Sequence, residues 1–298
     1  MRRWVVLAAA VLTGAAPVAT NPAAAQADAP DPARAIKRQL RGEHGVRISE
    51  TDRFHYGAKS TVSGSGTRIA GRLRLAPSGP VAADLTWRDL PAPKAGKPAK
   101  PGNPGKQTSH RMIRVGENTY DDAAHYPGGP VPEGKKWIRF PAKHRGSANR
   151  DMARDASLQP IDLYDTSLMK TLLKCSKRER VSGGLLYRGT LSRKELGRLS
   201  GGAFVDWTSG RLVGAKSKGK VSWRLWTDRT GLPERLVTTD TVGEGKNALV
   251  KRSDTRYTGW GTRLVITAPP ADEVIDESDL LEYVRERNEP IPEDSGNT

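Results

Sequence analysis

The chain has 298 residues, 36% hydrophobic and 28% charged, with 31 glycines, 21 prolines and a formal net charge of +16. It is long enough to bury a core without disulfide staples, and its single cysteine excludes an intramolecular disulfide. The modest apolar fraction favours one sheet-based core with long polar connections.

Residues 1–27 carry Arg2-Arg3, an apolar stretch from Trp4 to Val18 and the small-residue run Ala25-Gln26-Ala27. This is the pattern of a secretory signal peptide cleaved before Asp28; an uncleaved N-terminal anchor is the alternative. The arginine pair alone is a weak twin-arginine signal, so general secretion is expected. A lipid anchor needs a cysteine at the cleavage site, whereas Cys175 lies far downstream. The product is therefore expected to be secreted, extracytoplasmic, soluble and not lipid-anchored. Cys175 is expected as a small buried hydrophobe rather than a reactive thiol or an intermolecular bridge.

Pro32, with Ile36 and Leu40 four apart and Gly42 or Gly45 as a stop, predicts a short first helix. Strand patterning follows. Ile69, Leu73 and Leu75 alternate with Arg68, Arg72 and Arg74, and Val81, Leu85 and Trp87 alternate with Asp84, Thr86 and Arg88. Period two with arginine opposite describes an antiparallel sheet with one buried and one wet face. Residues 91–106 are proline, glycine, lysine and little else, a basic insertion that cannot bury a core and reads as a solvated hairpin loop.

Strand signals resume at 110–120 and 134–141. Residues 165–177 give the strongest helix, with Asp165 as cap and Leu168, Met169, Leu172 and Leu173 as one stripe. A strand is expected at 183–191. A hairpin follows over 220–240, with Val221, Trp223 and Leu225 on one face, Arg224 and Trp226 on the other, and a turn at Thr230-Gly231. The last strand is expected to carry Leu264 and Ile266 inward until Pro269-Pro270 stop it. One domain is expected over 28–270, then an acidic tail or short helix at 271–298 using Leu280, Leu281 and Val284. That tail holds ten carboxylates against Arg285 and Arg287, so the body is more basic than the whole.

Signatures of catalysis are absent from the sequence: no G-x-S-x-G elbow, no phosphate loop, no H-E-x-x-H. The five histidines are scattered. Asp121, Asp122 and His125 are explained by an exposed turn more simply than by a metal site. No enzyme activity, cofactor or metal is expected. Trp87, Trp137, Trp223, Trp226 and Trp260 all lie on or beside predicted strands, and with the Leu168–Leu173 stripe they suit either a packed core or an apolar cavity.

Several stretches recur in order in actinobacterial exported proteins: Gly134-Lys-Lys-Trp-Ile, the Leu172-Leu173 helix before Tyr187-Arg-Gly189, the Val221–Asp228 hairpin with Gly231-Leu-Pro, and Tyr257-Thr-Gly-Trp-Gly261 ending in Ala-Pro-Pro-Ala-Asp-Glu-Val. On these the chain, over 31–276, resembles the LolA-like and LppX/LprG-like lipoprotein superfamily, with the lipobox absent. The resemblance implies an α+β fold: a curved antiparallel half-barrel closed by helices, holding a lipid or acylated molecule in an apolar cavity. It makes Leu73, Leu85, Trp87, Val221, Trp223 and Leu225 of the sheet, with Leu168, Met169 and Leu172 of the helix, the cavity candidates. Tyr257 and Trp260 become fold markers, the glycines letting the chain bend and the indole bracing the sheet. The expected function is that of a monomeric, non-enzymatic carrier or sensor. The alternative is a basic module with a filled core that associates with wall polymer or anionic membrane; nucleic acid is not an expected partner.

Overall fold

The computed structural model describes residues 30–57, 63–92, 109–126, 128–141, 156–243 and 247–288. The expected signal peptide, most of the 91–106 insertion and residues 289–298 lie outside these. Strands β1 (Gly45–Tyr56), β2 (Ser63–Ala76), β3 (Gly79–Leu90), β4 (Ser109–Val115), β5 (Asn118–Asp122) and β6 (Trp137–Pro141) form one meander. A second comprises β7 (Lys177–Val181), β8 (Gly184–Ser192), β9 (Gly219–Asp228), β10 (Pro233–Val242) and β11 (Leu249–Thr262). They join where β11 lies antiparallel to β1, and β12 (Val274–Asp276) adds parallel to β6. The result is an α+β fold on one twelve-stranded, mostly antiparallel sheet, open at edge strands β7 and β12. Edge strand β7 reads Lys-Arg-Glu-Arg-Val, a charged sequence that discourages pairing with another chain.

Period-two alternation fixes which side chains share a face. Val46, Leu73 and Ala83 stand in one row across β1, β2 and β3; Glu50, Ile69 and Trp87 stand in another. This inner face meets helices α1 (Pro32–Arg41) and α2 (Thr166–Lys174) in one apolar cluster. Asp31 caps α1 by accepting from the Ala33 amide at 2.9 Å, and Pro32 occupies the first turn, where no amide donor is needed. Asp165 caps α2 through the Ser167 and Leu168 amides. The helix buries Leu168, Met169 and Leu172, each stabilising the fold by about 1.5–3 kcal/mol. Helix α3 (Arg193–Leu199) follows β8, and α4 (Glu277–Asn288) rests against β6 and β12 with Leu280 fully buried.

The β9–β10 hairpin turns where expected. Asp228 Oδ1 accepts from the Thr230 and Leu232 amides, and Gly231 sits at φ +84°. Gly189 is demanded by a neighbour: a Cβ there would lie 2.9 Å from the Trp223 indole.

The end of β11 differs from expectation. The ladder stops at Thr262, so Leu264 and Ile266 are not strand residues. Ile266 instead packs on the outer face against Ala82, Ile113 and Tyr120. The cause is local. Between Thr258 and Thr262 the chain bulges against Arg47 and Gly45, with Gly259 at φ +64° and Gly261 at φ +85°. Positive φ is open to glycine at little cost, and the bulge re-aims the chain across the sheet. Trp260 stands between these glycines, stacks on Tyr257 at 5.9 Å between centroids, and donates its indole N–H to the Pro233 carbonyl.

Candidate functional site

All nine cavity candidates belong to the inner-face cluster. Leu73, Leu85, Leu168, Met169, Leu172, Val221, Trp223 and Leu225 are buried, and Trp87 is partly buried against them. Among the described residues they form a packed core. One space beside them, of about 30 Å³, has room for a water molecule rather than an alkyl chain, and of the nine only Leu73 borders it. A strap of irregular chain, residues 157–164, roofs that space through Ile161, Leu163 and Tyr164.

Beyond the apolar part, the same face turns polar while staying buried. Glu50 and Asp52 on β1, Thr238 and Asp240 on β10, and Lys251, Ser253 and Thr255 on β11 all point inward. Glu50 fastens the strap: it accepts from Ser157 Oγ, from the Leu158 amide at 2.6 Å and from Thr255 Oγ1 at 2.7 Å. Lys251 Nζ donates to the Leu158 carbonyl, and Gln159 bonds Thr238, Thr255 and the Leu236 carbonyl. Burial nevertheless raises the Glu50 pKa above the usual carboxylate range.

Asp52 is completely buried, and neither carboxylate oxygen has a hydrogen-bond partner. Desolvation, with Glu50 adding repulsion, pushes its pKa up to about 7. Ser253 stands near enough to pull against that rise, but its hydroxyl lies outside hydrogen-bonding geometry. Asp240, also fully buried, is pushed up to about 6 by desolvation against the opposing pull of Arg193 and Lys251. The Arg193 side chain is itself 0% exposed, 3.4 Å from both Asp240 and Asp206, with its guanidinium 5.3 Å from the Phe204 ring centre. Burying a charge is tolerable only when it is paired, and Arg193 and Asp240 serve each other.

The outer face carries a groove of about 710 Å³ over β7 to β11. Lys177, Arg188, Arg224 and Arg252 line it with Thr190, Ser222, Thr239 and Cys175. Cys175 is exposed at the end of α2, which corrects the expectation of a buried thiol: its spacing continues the Leu168–Leu172 stripe, but the helix ends at Lys174 and residue 175 is the cap where the chain leaves the helix. Arg188 meets Glu179 at 3.4 Å; Arg224 and Arg252 form no salt bridge among the described residues. The groove thus offers cations and hydroxyls at a volume within the range of ligand sites.

Asp122 and His125 sit in a short turn, where Asp122 caps the Ala124 amide and lies 3.6 Å from His125. No cluster of three His, Cys, Asp or Glu suited to a metal occurs among the described residues, and no described helix is long and apolar enough to cross a membrane.

No family model matches the chain, and no curated protein matches it. Solved structures similar to it include a DUF1329 family protein from Desulfovibrio piger, at 11% identity over 84% of this chain and 96% of that one, with a TM-score of 0.26. A β-barrel-like DUF1849 protein from Brucella abortus shares 10% identity over 77% and 100%, TM-score 0.24. The Pseudomonas aeruginosa MucA/MucB complex shares 9% over 80% and 100%, TM-score 0.20. At these scores none carries an argument about fold or function. The site stands on its own geometry.

Proposed function

We propose that the chain is a non-enzymatic, extracytoplasmic binding module whose ligand is an anionic polymer or surface held on the outer face of the sheet. The observation that carries this reading is the outer groove, which gathers Lys177, Arg188, Arg224 and Arg252 beside three hydroxyl side chains. The formal charge of +16 steers anions toward the protein, and salt screens that attraction over about 8 Å at physiological ionic strength. Co-sedimentation with isolated wall polymer and with phosphatidylglycerol vesicles, across a salt series, tests it. Binding to at least one that weakens as salt rises is expected; indifference to both at low salt would sink the reading.

A second reading has a different occupant: a lipid or acylated molecule between the sheet and its helices, as the LolA- and LppX-like resemblance implies. The strap favours it, because residues 157–164 cover the apolar floor of Ile48, Leu73 and Tyr257 without belonging to any helix or strand. An alkyl chain would gain roughly 0.8 kcal/mol per buried CH₂, but must first displace the strap. Native mass spectrometry of protein from its own host decides: a stoichiometric lipid adduct supports this reading, and a clean apo mass after incubation with lipid extract removes it.

A further inference from the structure

The register of the outer face shows a pattern the groove alone does not. Lys177 stands directly opposite Arg188, and Arg188 directly opposite Arg224, so three cations form one row across β7, β8 and β9. Arg53 is likewise opposite Arg252 across β1 and β11, and Arg68 opposite Arg88 across β2 and β3. Like charges directly opposed on neighbouring strands destabilise a sheet, and a surface selected only for solubility intersperses the two signs. The same face does so elsewhere: Arg235 is tied to Asp254, and Arg72 shares Asp84 with Arg111, whereas in the row Arg188 meets Glu179 at 3.4 Å and Lys177 and Arg224 form no salt bridge among the described residues.

We infer that the row Lys177–Arg188–Arg224, flanked by the neighbouring row of Thr190, Ser222, Thr239 and Arg252, is a track for a linear phosphate-bearing polymer. This rests on the anion-binding reading above and names the ligand's chemistry. Side chains directly opposite start about 5 Å apart, so two guanidinium forks converge on one group. A tetrahedral phosphate presents oxygens to both, and a phosphate-bearing chain repeats that group along the row. Thr190 and Ser222, opposed on β8 and β9, supply hydroxyl donors beside the row. A flat bilayer fits less well: the exposed large apolar residues Tyr56, Leu212, Val265 and Leu281 are not among those lining the groove, so it offers no such side chain for insertion.

The experiment uses the full mature chain, linear inorganic polyphosphate as probe, and the variants Arg224→Gln and Arg188→Gln/Arg224→Gln. Affinity is measured from about 50 to 300 mM salt, where log K should fall linearly with log salt and the double variant should show a shallower slope. A loss of tenfold or more in affinity is expected for the double variant at low salt. In the same low-salt buffer without polyphosphate, both variants should melt higher than wild type, because the repulsion is gone. Variants that lose thermal stability and affinity together would show a structural role and overturn the inference. Unchanged affinity would also overturn it while leaving anion binding to other basic surface. Salt-sensitive binding to phosphatidylglycerol vesicles without polyphosphate binding would assign the face to a membrane and refute the polymer. No binding to either probe would refute the underlying reading itself.

Discussion

The indole N–H of Trp260 donates to the carbonyl oxygen of Pro233 at 2.7 Å, linking the bulge at the end of β11 to the first residue of β10. Trp260→Phe keeps the stack on Tyr257 and deletes only that bond. It should destabilise by about 0.5–1.5 kcal/mol, read from the midpoint of urea unfolding. Gly259→Ala should cost at least as much, because alanine is strained at φ +64°. A neutral result for both would deny the bulge its role as a brace.

Asp52 sets a pH dependence. Its folded pKa is raised to about 7 from the ordinary 3.8 of an aspartate, so between those values the folded state keeps a proton that the unfolded state has lost. Stability from this group is therefore present in acid and falls as pH rises from about 4 to about 7, each pKa unit corresponding to about 1.4 kcal/mol. Asp52→Asn should leave stability near pH 4 little changed and raise the melting temperature at pH 8. An unaltered pH–stability profile would contradict the burial assigned to the carboxyl.

The strap depends on Glu50. Replacing it with alanine strips Ser157 Oγ, the Leu158 amide and Thr255 Oγ1 of their common acceptor. A loss of about 1–3 kcal/mol is expected, with faster amide exchange at Leu158 than in the strands below. Exchange that stays as slow as in β11 would show the strap is held by its apolar roof alone.

Arg193 and Asp240 should behave as a unit. Arg193→Met leaves Asp240 buried without its nearer cation and should cost about 3–5 kcal/mol. Arg193→Met with Asp240→Leu should recover most of that loss, because the fully buried carboxylate goes with its cation, while the partly exposed Asp206 keeps the Thr208 donors and Lys251 keeps the Leu158 carbonyl. A double variant as unstable as the single one would place the cost in packing against Phe204 instead.

Cys175 is free and exposed at the rim of the outer groove. The folded protein should react with one equivalent of maleimide without prior unfolding, and bound polyphosphate should slow that reaction if the polymer follows the groove.

Much of the architecture was legible because alternation is a direct record of which side chains share a face. Arginines at 68, 72 and 74 opposite Ile69, Leu73 and Leu75 announced the wet and dry sides, and Asp165 and Leu168 announced α2. The buried polar belt was legible too, but only with the right question. In β1 the inward parity runs Val46, Ile48, Glu50, Asp52, so two acids occupy positions where apolar residues are expected. Whether such acids are buried depends on strands two hundred residues away, and local pattern says nothing of that. The end of β11 misled for a related reason: Leu264 and Ile266 alternate like a strand, yet the bulge at Trp260 has already sent the chain to the other face. The opposed cations could not be read at all without register, since neighbours across strands are remote in sequence.

The seam between β1 and β11 has a consequence for how the molecule comes into being. Glu50 and Thr255 bond across it, 205 residues apart. The first strand therefore waits for a partner that emerges about two hundred residues later, and until then the β1–β6 meander presents an unpaired backbone edge. Long-range pairing of this kind makes folding slow, because the entropy of closing so large a loop must be met before the contact forms. The sheet is completed from its middle, and its two halves commit to each other only when nearly the whole chain has been made.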